Sequence, residues 1–164
     1  MLYSPAGCKA AGDGLTALRL AREKHPDMLG TLFGAARFPQ GLSPWMDYRR
    51  NLSEGPLVAL YNETSIFLCS SKAEGFPLPP VEAMASGCAV VTTDCGGTRE
   101  YAEHGVTALV SPPGDPDALA TNLRLLLEDD DLREKIASAG TERIRSYDWE
   151  RSTDRLEALL QAGS

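Results

Sequence analysis

Two apolar runs, "SIFLCS" (residues 65–70) and "AVVTTD" (residues 89–94), constrain this chain more than any other feature of its sequence. Neither alternates polar with apolar residues, so a strand made from either must be buried on both faces. A parallel sheet covered by helices meets that condition. The segment between the runs, "PVEAMAS", has the small and apolar composition of a covering helix, and Gly87 closes it. The three pieces make one strand–helix–strand unit.

The rest of the chain repeats that unit. "MLYS" is a short apolar run ended by Pro5 and predicts a first strand. Asp13 is placed to cap a helix through Lys24, with Leu15, Leu18 and Ala21 on one face and "HPD" at its end. Residues 29–34 are strand-like, the loop "AARFPQGLSPW" follows, and "MDYRRN" predicts a third strand. Ser53 is placed to cap a short helix, "EGPLVALYN", and "TALVSP" is the sixth strand. Asp115 caps a helix through Leu127, Asp130 opens another that ends near Tyr147, and Asp148 caps a last one, "WERSTDRLEALL". This order predicts an α/β fold: a Rossmann-like open parallel sheet of about six strands with helices on both faces, plus carboxyl-terminal helices. The 164 residues suit one domain, residues 1–164.

Charge and composition narrow the function. A net charge of -7 argues against a nucleic-acid partner, because neutralising phosphates needs a basic patch. No apolar run approaches the ~20 residues of a membrane span, and "MLYSPAGCKAAGDG" lacks the build of a signal peptide. Cys8, Cys69, Cys88 and Cys95 form no CxxC pair, and the histidines are His25 and His104 alone, so no structural zinc site is expected. Free thiols point to a reducing cytoplasm.

In open parallel sheets ligands bind at the carboxyl ends of the strands, and the loop at residues 70–78 follows a strand directly. Pro77, Pro79 and Pro80 have no N–H, and Pro80 suits the first helical position. The amides of Gly75, Phe76, Leu78, Val81 and Glu82 are then the donors at the helix start. They can cradle a phosphate, with Gly75 allowing close approach. Glu82 falls near the third helical position. Aimed at a phosphate it repels; aimed at neutral hydroxyls it accepts charge-assisted bonds of about 1.5–3 kcal/mol each. Glu74 can do the same for a second set of hydroxyls. A nucleoside diphosphate sugar, with phosphates between two polyols, has the matching shape. Plainer readings stand beside these: Glu82 as half of a capping box, Glu74 as a solvated loop charge, and Lys9 as either a diphosphate ligand or a solvated lysine.

The stretch "EGFPLPPVEAMASGCAVVTTDCGGTREYAEHGVTALVSPPGDPDALA" closely resembles the carboxyl-terminal half of family 4 (group 1) glycosyltransferases, a retaining family with the two-domain GT-B fold. The resemblance rests on the glutamate pair Glu74 and Glu82, "EAMASG", Gly96 and Gly97, "PPGDPDALA" and the late "YDWE". It implies a donor-binding domain for a nucleoside diphosphate sugar. Glu74 and Lys9 would be catalytic, Glu74 touching the transferred sugar and Lys9 the diphosphate. Glu82 would hold the ribose, Gly75, Phe76 and Leu78 would contact sugar and phosphate, and Arg49 in "DYRRN" would contact the base. No metal or other cofactor is implied.

Three departures qualify the resemblance. Pro77 stands where the family usually has glycine, and Tyr3 and Ser4 occupy the region of an arginine that often accompanies the lysine. The amino-terminal acceptor domain is absent, so this chain alone is expected to be inactive. Any peripheral membrane association is expected only through that domain. Phe76, the "FPQGLSPW" loop and Trp149 are expected to form the apolar face toward it. The alternatives are a stand-alone nucleotide-sugar binding module or a sugar-nucleotide epimerase-like half, against which neither His25 nor His104 lies beside a binding loop.

Overall fold

The computed structural model describes residues 1–162, apart from the side chain of Trp149. Eleven regular elements follow in order: α1 (Ala11–Lys24), β1 (Gly30–Gly34), β2 (Met46–Arg50), α2 (Glu54–Asn62), β3 (Ile66–Leu68), α3 (Leu78–Ala85), β4 (Ala89–Thr93), β5 (Leu109–Ser111), α4 (Pro116–Glu128), α5 (Asp130–Ile144) and α6 (Trp149–Ala162). Every strand pairing is parallel, in two groups, β1–β2 and β3–β4–β5. Within each group the carboxyl ends therefore open toward one edge.

The expected sheet of about six strands is five strands among the described residues. "MLYS" does not form a strand of its own. Leu2 makes a single parallel bridge to Phe33, with Phe33 N–H donating to the Met1 carbonyl at 3.1 Å and Tyr3 N–H to the Phe33 carbonyl at 2.7 Å. Pro5 has no amide to carry the ladder further.

The apolar runs are buried as their composition requires. Neighbouring residues of one strand enter opposite cores: Leu32, Leu68, Val91 and Leu109 pack with α1 and α4, while Phe33, Phe67, Val90 and Ala108 pack with α2 and α3. This is the two-residue period of a strand with both faces covered. α5 contributes to both sides, Ile136 to the first core and Ile144 to the second.

The predicted caps divide, and Ser53, at the cap position of α2, makes no side-chain capping bond. Asp115 accepts from Ala118 N–H at 2.9 Å and Asp148 from Arg151 N–H at 2.7 Å, as expected. α5 is capped one residue earlier than expected, by Asp129, which accepts from Leu132 N–H at 2.9 Å. Asp13 does not cap α1, which starts two residues before it, after Ala10 in the left-handed region (φ 45°). Of the expected apolar face, Phe38 and Phe76 are exposed, whereas Trp45 packs on Gly30 with the Arg22 guanidinium 5.5 Å above it. The Trp149 side chain lies outside the described residues.

Candidate functional site

Residues 6–10 reach the carboxyl edge as one tight turn, Gly7–Lys9, and are held there by the loop after β3. Ser70 Oγ shares its hydroxyl between the carbonyls of Lys9 (3.2 Å) and Ala10 (3.0 Å). Lys72 N–H donates to the Cys8 carbonyl at 2.6 Å. Gly14 lets α1 close on this loop, because a Cβ there would lie 2.8 Å from Ser70 Oγ. So held, Lys9 Nζ lies 2.5 Å from Glu74 Oε1, which also accepts from Ser71 Oγ at 2.7 Å. Both charged side chains are mostly buried. Asp13, freed from capping, ion-pairs with Lys72 at 3.1 Å.

The Glu74 backbone is fixed from the other side. Its N–H donates to the Cys95 carbonyl and its carbonyl accepts from Gly97 N–H, each at 2.9 Å. The resulting parallel bridge to Gly96 continues the β3–β4 pairing past the ends of both strands. Gly96 turns with φ +94°, and a Cβ on Gly97 would collide with the Gly75 carbonyl. Thr98 Oγ1 donates to the Thr93 carbonyl at 3.0 Å and Thr93 Oγ1 to the Ser71 carbonyl, which ties this turn to the same loop.

α3 starts at Leu78 with Pro77 at its cap, so Pro80 is third and Glu82 fifth, each two positions later than expected. Proline fits throughout a first turn, where the N–H groups have no intrahelical partner, and the helix therefore begins before the prolines end. The amides of Val81 and Glu82 consequently belong to the helix ladder. Among the described residues, those of Gly75, Phe76 and Leu78 donate to no protein acceptor. The fifth position is also too deep for a capping box. Glu82 Oε2 instead accepts from the Tyr61 hydroxyl at 2.9 Å. Burial, and then this bond to Glu82, push the Tyr61 phenol well above its ordinary range.

The structure thus brings Lys9 and Glu74 together, beside the amides of Gly75, Phe76 and Leu78, with Glu82 one turn further along α3. Phe76 leans edge-on against Tyr101, ring centroids 5.6 Å apart. Arg49 sits on β2, where it pairs with Asp47 at 3.2 Å. Ser71 and Tyr61 escaped the sequence reading. Ser71 is three residues from Glu74, a spacing with many uses, and Tyr61 lies on a separate helix with no local signal.

With the ion pair closed, the space among Lys9, Ser71, Glu74 and Pro77 is about 10 Å³. A larger cleft, about 330 Å³, lies between β1 and β3 and is lined by Met1, Thr31, Ser65 and Ile66 among others, but by neither Lys9 nor Glu74. Among the described residues no three His, Cys, Asp or Glu side chains gather as metal ligands, and no helix is long and apolar enough to cross a membrane.

The family model described as "Glycosyl transferases group 1" matches residues 46–143, more than half of the chain. A sulfoquinovosyl transferase of Arabidopsis thaliana is 34% identical over 150 residues, covering 87% of this chain and 29% of the relative. A phosphatidyl-myo-inositol mannosyltransferase of Mycobacterium leprae is 43% identical over 76 residues, covering 46% of this chain and 20% of the relative. The chain thus spans less than a third of the length of these relatives. Among solved structures, the C-terminal domain of a glycosyl transferase group 1 family protein from Francisella tularensis aligns with TM-score 0.77 at 25% identity, over 88% of this chain and 81% of that one. An Anabaena protein solved in complex with UDP-glucose shares the fold, with TM-score 0.83 at 22% identity over 99% of this chain and 48% of that one.

Proposed function

This chain belongs to the group 1 glycosyltransferases, and from that premise we propose that it is the donor side of a retaining transferase, binding a nucleoside diphosphate sugar. One observation carries the reading. Lys9, paired with Glu74, and three amides that donate to no protein acceptor among the described residues lie on one loop and helix start, with Glu82 one turn further along α3. The cation and amides suit a diphosphate, whose negative charge they offset. The carboxylates suit hydroxyls, which donate to them. Relatives solved with UDP or UDP-glucose share the fold, which supports a nucleotide-sugar ligand.

In this reading Lys9 leaves Glu74 for the diphosphate, and Glu74 is released toward the transferred sugar. Gly75, Phe76 and Leu78 hold the phosphates and sugar through their amides, Glu82 accepts from the ribose, and Arg49 reaches the base. Lys9 and the amides carry the charge of the leaving group in place of a metal ion. The acceptor site belongs to an amino-terminal domain, so the isolated chain binds donor but does not transfer sugar, because catalysis needs both reactants held together. The four unpaired cysteines suit a reducing, cytoplasmic setting.

Calorimetry with UDP, GDP, ADP and their sugars, with and without a chelator, tests the reading. Saturable, chelator-insensitive binding of one nucleotide series is the expected result. Sugar transfer by the purified 164-residue chain overturns the half-enzyme assignment. Binding of nucleotides with no change on Lys9→Ala overturns the site.

A further inference from the structure

Tyr61 stands near the end of α2, 21 residues before Glu82, and is only 3% exposed. Its ring is held edge-on by Phe33, centroids 5.8 Å apart, and tilted against Phe67 at 5.7 Å. Its carbonyl accepts from Cys88 Sγ at 3.3 Å. Phe33 and Phe67 meet the ring from one side, their own centroids 6.3 Å apart, and the ring borders the 330 Å³ cleft; buried among these residues, its hydroxyl is placed by the second core. A buried phenol needs a partner, and this one finds Glu82 Oε2.

Glu82 is the opposite kind of group: exposed, on a long side chain that is otherwise free to change rotamer. One of its oxygens is tied to a buried anchor, and the other is left to accept. The anchor is neutral, so it orients the carboxylate without cancelling its charge, as a lysine would. Burial keeps the phenol protonated and therefore a donor. Resting on the donor-binding reading above, we propose that Tyr61 is a positioning residue: its hydroxyl fixes the Glu82 carboxylate in the orientation that accepts ribose hydroxyls. Discrimination between ribose and deoxyribose ligands then depends on a residue that never touches the ligand.

The test titrates UDP and GDP, each with its 2'-deoxy counterpart, into the chain and into Y61F, E82Q and the double variant. In E82Q the preference for ribose is expected to fall. In Y61F the fold is retained and the same preference falls roughly threefold to tenfold, while affinity for the deoxy ligand holds. The double variant is expected to be no worse than E82Q, because both changes act through one carboxylate. A ribose preference lost in E82Q but intact in Y61F overturns the role of Tyr61 alone. A preference unmoved in E82Q, or no binding of either nucleotide, overturns the donor reading and the proposal with it. Should Y61F fail to fold, 4-fluorophenylalanine at position 61 fills the space of the hydroxyl but has no proton to donate to Glu82. An unaltered ribose preference in that protein overturns the proposal.

Discussion

Lys9 and Glu74 stand 65 positions apart in the chain and 2.5 Å apart in the fold, with Ser71 on the same carboxylate oxygen. The pair fills the place a diphosphate is proposed to take, so ligand and Glu74 compete for one ammonium. Lys9→Ala is expected to weaken nucleoside diphosphate binding by about 1.5–3 kcal/mol, the range of a charge-assisted bond. Nucleoside binding should hardly change, and the loss should shrink at high salt. Equal losses for nucleoside and diphosphate would place Lys9 outside the phosphate site.

Gly97 is required by contact, not by conformation. A Cβ at this position would collide with the Gly75 carbonyl and force apart the two backbone bonds that hold Glu74. Gly97→Ala is therefore expected to cost about 1–3 kcal/mol in urea unfolding and to lower donor affinity in the fraction that folds. A variant of undiminished stability and affinity would show that the Glu74–Gly96 bridge is dispensable.

Pro77 caps α3 with φ -73°, a value glycine also reaches, and its carbonyl accepts from the Tyr101 hydroxyl at 3.4 Å. Pro77→Gly keeps that carbonyl, frees the unfolded chain and adds an amide beside those of Phe76 and Leu78. The expected result is a stability loss of about 0.4–1 kcal/mol with donor affinity level or improved. A sharp fall in affinity in a folded protein would make Pro77 part of the pocket.

The Met1 ammonium donates to the Thr31 carbonyl at 3.0 Å, and burial lowers its pKa from 8.0 to about 5. Between these values the unfolded chain binds more protons than the folded one, so stability rises with pH. The contribution is complete above pH 8 and is lost as pH falls toward 5, at a limiting slope of about 1.4 kcal/mol per pH unit. Denaturant melts of the 164-residue chain with His25 and His104 replaced by glutamine isolate this slope. A flat profile from pH 5 to 8 contradicts it.

The layered α/β fold and the loop that carries Glu74 are legible in the order of residues alone. Strands buried on both faces show as unbroken apolar runs, helix starts show as Asp115 and Asp148, and the Glu74 loop follows its strand directly. Each of these follows from neighbours along the chain, because backbone pairing and side-chain period are local properties. The first turn of α3 begins two residues before the position that Pro80 suggests, because three prolines are compatible with several starting points. That Lys9 meets Glu74, that Gly97 closes on Gly75 and that Tyr61 bonds to Glu82 emerge from packing in three dimensions. Those contacts join loops and helices that meet only once the sheet has assembled. They depend on which side chains fill the space between elements, and no local spacing records that.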